Sequence, residues 1–143
     1  MNDETIAGIE KEITSFIRRI ILSEKRMDGL DRSTYVILRQ LASHGPAGVK
    51  KLSDDLQLDS STISRQAAAL VQKNYAVKEP NPADGRSYFY QITDTGKKEL
   101  EANRERRYGR LRYMLSEWPE EDRKIFGELL RRYNEGVEDM NDQ

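Results

Sequence analysis

The sequence predicts a mostly α-helical chain with one small β-hairpin, and three observations predict it. Residues 49–72 read as two short helices parted by a tight turn. Two runs of strand-favouring residues, 75–78 and 88–92, bracket a stretch rich in turn formers. Near both ends of the chain, apolar residues recur at steps of three and four, the spacing of an amphipathic helix. A helix-turn-helix followed by a hairpin is a winged helix, and the terminal helices make up a separate helical region.

Taken in order, residues 5–27 carry Ile6, Ile9, Ile13, Phe16, Ile17, Ile20 and Ile21 on one stripe. Such a stripe serves equally to pack a helix on its own domain or to join two copies. Asp28 and Gly29 break this helix. Asp31 is placed to cap the next one, with Leu30 and Tyr35 at the spacing of a hydrophobic staple. Tyr35, Leu38 and Leu41, with Val36 and Ile37 beside them, form its inward face. Residues 43–48, with Gly45, Pro46 and Gly48, end it. His44 is read as a polar residue at the helix C-terminus.

In the following pair of helices, Leu52 and Leu56 stand four apart on one face, and Leu58 is expected to be buried in the turn. Asp59 is expected to cap the second helix. Ile63, Ala67, Leu70 and Val71 make its inward stripe. Ser60, Ser61, Thr62, Ser64, Arg65 and Gln66 occupy the other side, which is hydroxyl-rich and nearly free of acids. Short donors beside one arginine suit a helix lying in a DNA major groove. The hairpin that follows has its polar tip at residues 80–87. After it a long helix opens at Asp94 or Thr95 and runs to about Trp118. Its apolar positions are Leu100, Tyr108, Leu111, Met114 and Leu115. Between Arg104 and Tyr113 five arginines stand against Glu105 alone, either as a solvated, ion-paired face or as a flank touching phosphates. Pro119 marks the start of a last helix with Glu120, Glu121 and Asp122 in its first turn. There Ile125, Leu129, Tyr133 and Val137 fall every fourth residue, and Phe126, Leu130 and Met140 widen the stripe.

With these pieces in this order, the chain resembles the MarR family of winged helix-turn-helix transcriptional regulators. The residues that carry the resemblance are Ser61-Thr62-Ile63-Ser64-Arg65, then Asp84-Gly85-Arg86 in the wing, then Ile92-Thr93-Asp94-Thr95-Gly96. The resemblance implies a homodimer organised as a dimerisation helix (residues 1–30), a DNA-binding winged helix (31–95) and C-terminal dimerisation helices (96–143). It implies double-stranded DNA as partner, with a pseudo-palindromic operator, and a repressor's role. Ser60, Ser61, Thr62, Ser64, Arg65 and Gln66 would face the major groove. Asp84, Gly85, Arg86 and Ser87 would reach the minor groove, and Lys50, Lys51 and Lys73 would touch the backbone. Asp84 would orient Arg65 or Arg86, and a short third strand would form in the loop around residues 43–48. A small aromatic or anionic effector would sit in a seam for which Phe16, Ile20, Tyr35, Tyr108 and Met114 are candidates, although plain core packing is the favoured reading of all five, aromatic and Met side chains being routine fillers of helical interfaces. Asn74 stands where many members have glycine, and asparagine tolerates the left-handed conformation needed there.

Composition bounds the alternatives. At 143 residues with a formal net charge of −1, there is no global basic signature, so a nucleic-acid surface has to be local. With no cysteine and a single histidine, thiol catalysis, disulfides, a thiol switch and Cys/His metal sites are excluded, and no cofactor or enzymatic constellation can be assembled. The acidic start Met1-Asn2-Asp3-Glu4 is no signal peptide and no run is long enough to span a bilayer, so a cytoplasmic protein with no membrane partner is expected. The alternative to a DNA-binding regulator is a winged-helix protein-interaction module docking a partner on its hairpin or its Tyr88/Tyr90 edge.

Overall fold

The computed structural model describes residues 1–25 and 29–142. The predicted helix end at Met27 and break at Asp28 lie outside them. The element order is α1 (Asp3–Glu24), α2 (Arg32–His44), α3 (Val49–Leu56), α4 (Ser60–Gln72), β1 (Ala76–Asn81), β2 (Asp84–Ile92), α5 (Asp94–Met114) and α6 (Glu120–Asn141). The chain divides into two compact units, Met1–Asn103 and Arg104–Gln143.

The core of the first unit is built from the inward stripes of α2, α3 and α4. Ile37, Leu38, Leu52 and Ile63 are fully buried, and Leu41, Ala67 and Leu70 nearly so. Ala47, Ala76, Tyr90 and Leu100 close the core from the loop, the hairpin and α5. Leu58 is only half-buried, packing against the edge of this core rather than inside it. Local chemistry sets the helix starts. Asn2 Oδ1 accepts from the Glu4 amide at 2.9 Å, and Asp31 Oδ1 accepts from the Thr34 amide at 2.9 Å and from the Thr34 hydroxyl at 2.8 Å. Leu30 and Tyr35, at the spacing of a staple, are both buried in this core.

The hairpin is longer than the sequence suggests. β1 runs on through Pro80 to Asn81, β2 starts at Asp84, and only Pro82 and Ala83 form the tip. In an isolated two-stranded ribbon Pro80 removes no ladder bond that another strand needs. The third strand expected in the loop shrinks to a single antiparallel bridge, Ala47 with Tyr90, through N–H···O bonds of 3.1 and 2.9 Å.

α5 opens at Asp94, as expected, and Thr93 caps it. Its hydroxyl accepts from the Gly96 amide at 2.9 Å and donates to the Asn74 carbonyl at 2.6 Å. Gly96 lies against the Tyr75 carbonyl, and a Cβ there would overlap that oxygen. Within α5, Asn103 is 1% exposed. Its Oδ1 accepts the Leu30 amide at 3.1 Å, and its Nδ2 donates to the Glu99 carbonyl at 2.7 Å and to Glu99 Oε1 at 3.0 Å. α5 ends at Met114, four residues short of the expected Trp118.

In the second unit Arg123 holds the turn into α6. Its guanidinium donates to the carbonyls of Leu115 (2.9 Å) and Ser116 (3.0 Å) and to Glu120 (3.0 Å). Trp118 meets Phe126 edge to face at 5.4 Å. Neither α1 nor α6 buries a residue within the chain. Phe16 is 56% exposed and Leu129 51%, and the rest of both stripes is exposed or half-exposed.

Candidate nucleic-acid interface

The turn between α3 and α4 is made by Gln57 in the left-handed conformation (φ 56°, ψ 39°). The Ser53 hydroxyl ties it down by donating to the Leu58 carbonyl. The chain then enters α4 under the expected cap: Asp59 Oδ1 accepts from the Thr62 amide at 2.7 Å and from the Ser61 hydroxyl at 2.6 Å. Those bonds, Ser61 first and then Thr62, hold the Asp59 carboxyl down at about 2, and Arg65 nearby adds to the effect. At its far end α4 closes in a Schellman turn. The Tyr75 amide donates to the Leu70 carbonyl and the Asn74 amide to that of Val71, with Asn74 at φ 65° as its left-handed residue.

Between these ends, Ser60, Ser61, Ser64 and Arg65 are exposed, while Thr62 and Gln66 are half-buried on the flank. The hydroxyl-rich face is therefore partly cap: the Ser61 hydroxyl is engaged by Asp59. Among the described residues no hydrogen bond or ion pair occupies the Arg65 guanidinium. Sequence reading stopped at Gln66, yet Ala68 and Gln72 are exposed too. Continuing the 100° period past Gln66 would have found both.

The wing tip is braced from within. Asn81 Oδ1 accepts from the Ala83 amide at 2.9 Å and Asn81 Nδ2 donates to the Ser87 hydroxyl at 3.1 Å. The register slips between Pro80 (opposite Tyr88) and Asn81 (opposite Asp84), which leaves Gly85, Arg86 and Ser87 as a bulge on β2. Asp84 Oδ1 accepts from the Arg86 backbone amide at 3.0 Å. The carboxylate thus shapes the bulge through the backbone, and among the described residues it pairs with neither the Arg65 nor the Arg86 guanidinium. Arg86 is exposed on this bulge. Tyr88 is exposed with Lys78 4.5 Å from its ring centre, whereas Tyr90 is buried, which removes half of the Tyr88/Tyr90 docking edge. Residues 88 and 90 project to the same side, but Tyr90 lies at the base of the ribbon, where the Ala47 bridge covers it.

Lys50 and Lys51 are exposed on α3, with Lys51 3.4 Å from Asp55. Both line an open groove of about 800 Å³ with Ser64, Ala68, Ser87 and Tyr88, between α3, α4 and the hairpin. Lys73 is exposed at the C-cap of α4, close enough to Asp31 to help lower that carboxyl. Partial burial raises Asp31, and bonds from Thr34 and Ser33 together with Lys73 outweigh it. Of the effector candidates, Phe16 is exposed, Ile20 half-buried and Tyr35 buried in the core beneath Arg39, all in the first unit. Tyr108 and Met114 are exposed in the second, where Arg112 lies 5.7 Å from the Tyr108 ring centre and 3.8 Å from Glu105.

The model of the MarR family matches residues 30–88, from just before α2 to the wing. The uncharacterized HTH-type transcriptional regulator YxaD of Bacillus subtilis is 45% identical over 141 residues, covering 96% of this chain and 99% of YxaD. Among solved structures, a MarR family protein from Bacillus stearothermophilus superposes with a TM-score of 0.79 at 18% identity, covering 96% of this chain and 98% of the other. The PcaV transcriptional regulator from Streptomyces coelicolor, solved in complex with its natural ligand, gives 0.70 at 18% identity and 92% of both chains. Six helices and an antiparallel two-stranded wing among the described residues, and a full-length relative at 45% identity, agree: the chain belongs to the MarR family of transcriptional regulators, which are not enzymes.

Proposed function

We propose that the chain works as a homodimeric, sequence-specific DNA-binding repressor, with α4 in the major groove and the wing at the adjacent minor groove. The observation that carries this reading is the pair of arginines, Arg65 on α4 and Arg86 on the hairpin bulge. Both are exposed, and neither guanidinium is paired among the described residues. In a chain of net charge −1 they are the arginines on the two elements that a groove-reading winged helix presents. Lys50 and Lys51 on α3 supply backbone contacts beside them. The roles divide as residues 1–30 and 96–143 for dimerisation and 31–95 for DNA, a division by task rather than by compactness.

Burial supports the proposed dimer. α1 and α6 each present an apolar stripe that a single chain leaves in water, over a length monomers do not normally expose. A second copy is the cover we infer. No helix among the described residues is long and apolar enough to cross a membrane, and the bacterial cytoplasm, where the operator is, is the proposed compartment. Release by a small, non-covalent aromatic or anionic ligand is also proposed, in keeping with the ligand held by PcaV. It would act only through unequal affinity for dimer geometries that do and do not match the operator. The test is retardation of duplex DNA at moderate salt with competitor present. A specific complex, weakened in Arg65→Ala and in Arg86→Ala, is expected. Binding indistinguishable from that of competitor DNA would favour the protein-interaction module instead.

A further inference from the structure

The outward line of α4 is not the one its hydroxyl-rich start suggests. Ile63, Ala67 and Leu70 define the inward direction. At about 100° per residue the opposite direction is taken by Ser61, Arg65, Ala68 and Gln72, all exposed. The Ser61 hydroxyl donates to Asp59 at 2.6 Å and is committed to the cap. Gln72, the last helical residue, lies about 10 Å further along the axis than Arg65. Arg65 and Ala68 therefore remain as the adjacent, unoccupied pair at the crest of the helix.

Their spacing fits the repeat of a duplex. Three residues advance a helix by about 4.5 Å, close to one base step of about 3.4 Å. In the major groove an arginine finds its bidentate acceptor pair on guanine O6 and N7. An alanine methyl has one apolar feature to meet, the C5-methyl of thymine. Ala68 also borders the groove toward α3 and the hairpin, on the same side as Ser64 and away from the Thr62 flank. Nothing polar on α4 competes with its methyl at that point.

We infer that Arg65 and Ala68 set the operator's specificity as a unit. In each half-site Arg65 reads a guanine, and the Ala68 methyl reads a thymine on the neighbouring base pair. This rests on the DNA-binding reading above and adds to it the identity and order of the bases read.

The test uses the full-length protein. An operator is first selected from randomised duplexes, and each thymine in it is then replaced singly by uracil, which deletes only the C5-methyl. One uracil per half-site, next to a G·C pair, should weaken the wild type about fourfold, the worth of one buried methyl-sized group. Replacing that G·C pair should cost about 5- to 150-fold. In Ala68→Ser the operator should bind equally with thymine or uracil at that position, and in Arg65→Gln the guanine preference should disappear. Both positions are exposed, and unchanged melting of the variants would show that folding is intact. The inference is overturned if an operator is selected but the uracil effect persists in Ala68→Ser, or if the guanine preference survives Arg65→Gln. If no sequence is enriched at all, the DNA-binding reading itself fails and this inference falls with it.

Discussion

Replacing Asn103 tests the internal logic of the winged unit more sharply than any surface change. The side chain is 1% exposed, and its Oδ1 is the acceptor for the buried Leu30 amide at 3.1 Å. Asn103→Ala leaves that N–H without a partner, at a cost of about 1–3 kcal/mol. The void left by the amide group adds about 0.5–1 kcal/mol, so a loss of roughly 1.5–4 kcal/mol is expected. Asn103→Asp keeps an acceptor for Leu30 but loses the donor to the Glu99 carbonyl. It also sets a second carboxylate against Glu99 Oε1, now 3.0 Å from Nδ2. It should be at least as damaging at neutral pH and should recover on acidification as the buried carboxylate protonates. The assay is urea unfolding at a fixed protomer concentration, because dimerisation would make the midpoint depend on concentration. Hydrogen exchange at the Leu30 amide is the local readout. An alanine variant with a wild-type midpoint and undiminished Leu30 protection would refute the reasoning.

Other expectations follow from the same geometry. Arg65→Ala and Arg86→Ala should each cost about 1–3 kcal/mol in operator affinity where the side chain reads a base, or lower the salt slope by about one where it meets phosphate. Titration at several salt concentrations separates the two, and unchanged affinity for both variants would undo the contact map. Removing Ile125 to Gln143 strips Phe126, Leu129, Leu130 and Tyr133 from the exposed stripe and should give a monomeric or aggregated product by light scattering. A well-folded dimer would show that the interface lies elsewhere. Asp59 is held near 2 in the folded chain against an ordinary 3.8. A carboxyl lowered by folding contributes stability above its unfolded value and loses it as pH falls through the folded one. The cap of α4 should therefore weaken between about pH 4 and pH 2, seen as a falling protection factor of the Thr62 amide relative to its intrinsic exchange, and the window should vanish in Asp59→Asn. An effector that releases the operator must be bound more weakly by the operator complex, by the same factor, in paired titrations. A ligand bound equally in both states is not the switch.

Much of this architecture was legible because its signals are local. Asp59 announces a cap, Ile63, Ala67 and Leu70 repeat at helical spacing, and Asn74 is one of the few non-glycine residues at ease with positive φ. The features that were not legible depend on distant partners or on competition between neighbours. Asn103 reads as an ordinary surface asparagine until the fold brings it to Leu30, 73 residues away. Thr93 caps α5 with a hydroxyl that is also anchored to the Asn74 carbonyl. The wing tip is shorter than its composition implies because Asn81 and Asp84 organise the turn with their own side chains, which lets pairing continue past Pro80. In the candidate interface the two arginines and the hairpin were readable, and the bulge on β2 was not. The diversion of the Ser61 hydroxyl into the cap, and the exposure of Ala68 and Gln72, needed the helix direction.

The central claim is that two copies of this winged unit read DNA across a two-fold axis. Selection of binding sites from randomised duplexes by the full-length protein, followed by footprinting of the enriched sequence, tests it most directly. The account predicts a pseudo-palindrome whose half-sites are centred about one helical turn, roughly 10–10.5 base pairs, apart, with two protomers on each duplex and protection in successive major grooves. Enrichment of a single unpaired half-site bound by one protomer, or no enrichment over the starting pool, would contradict it.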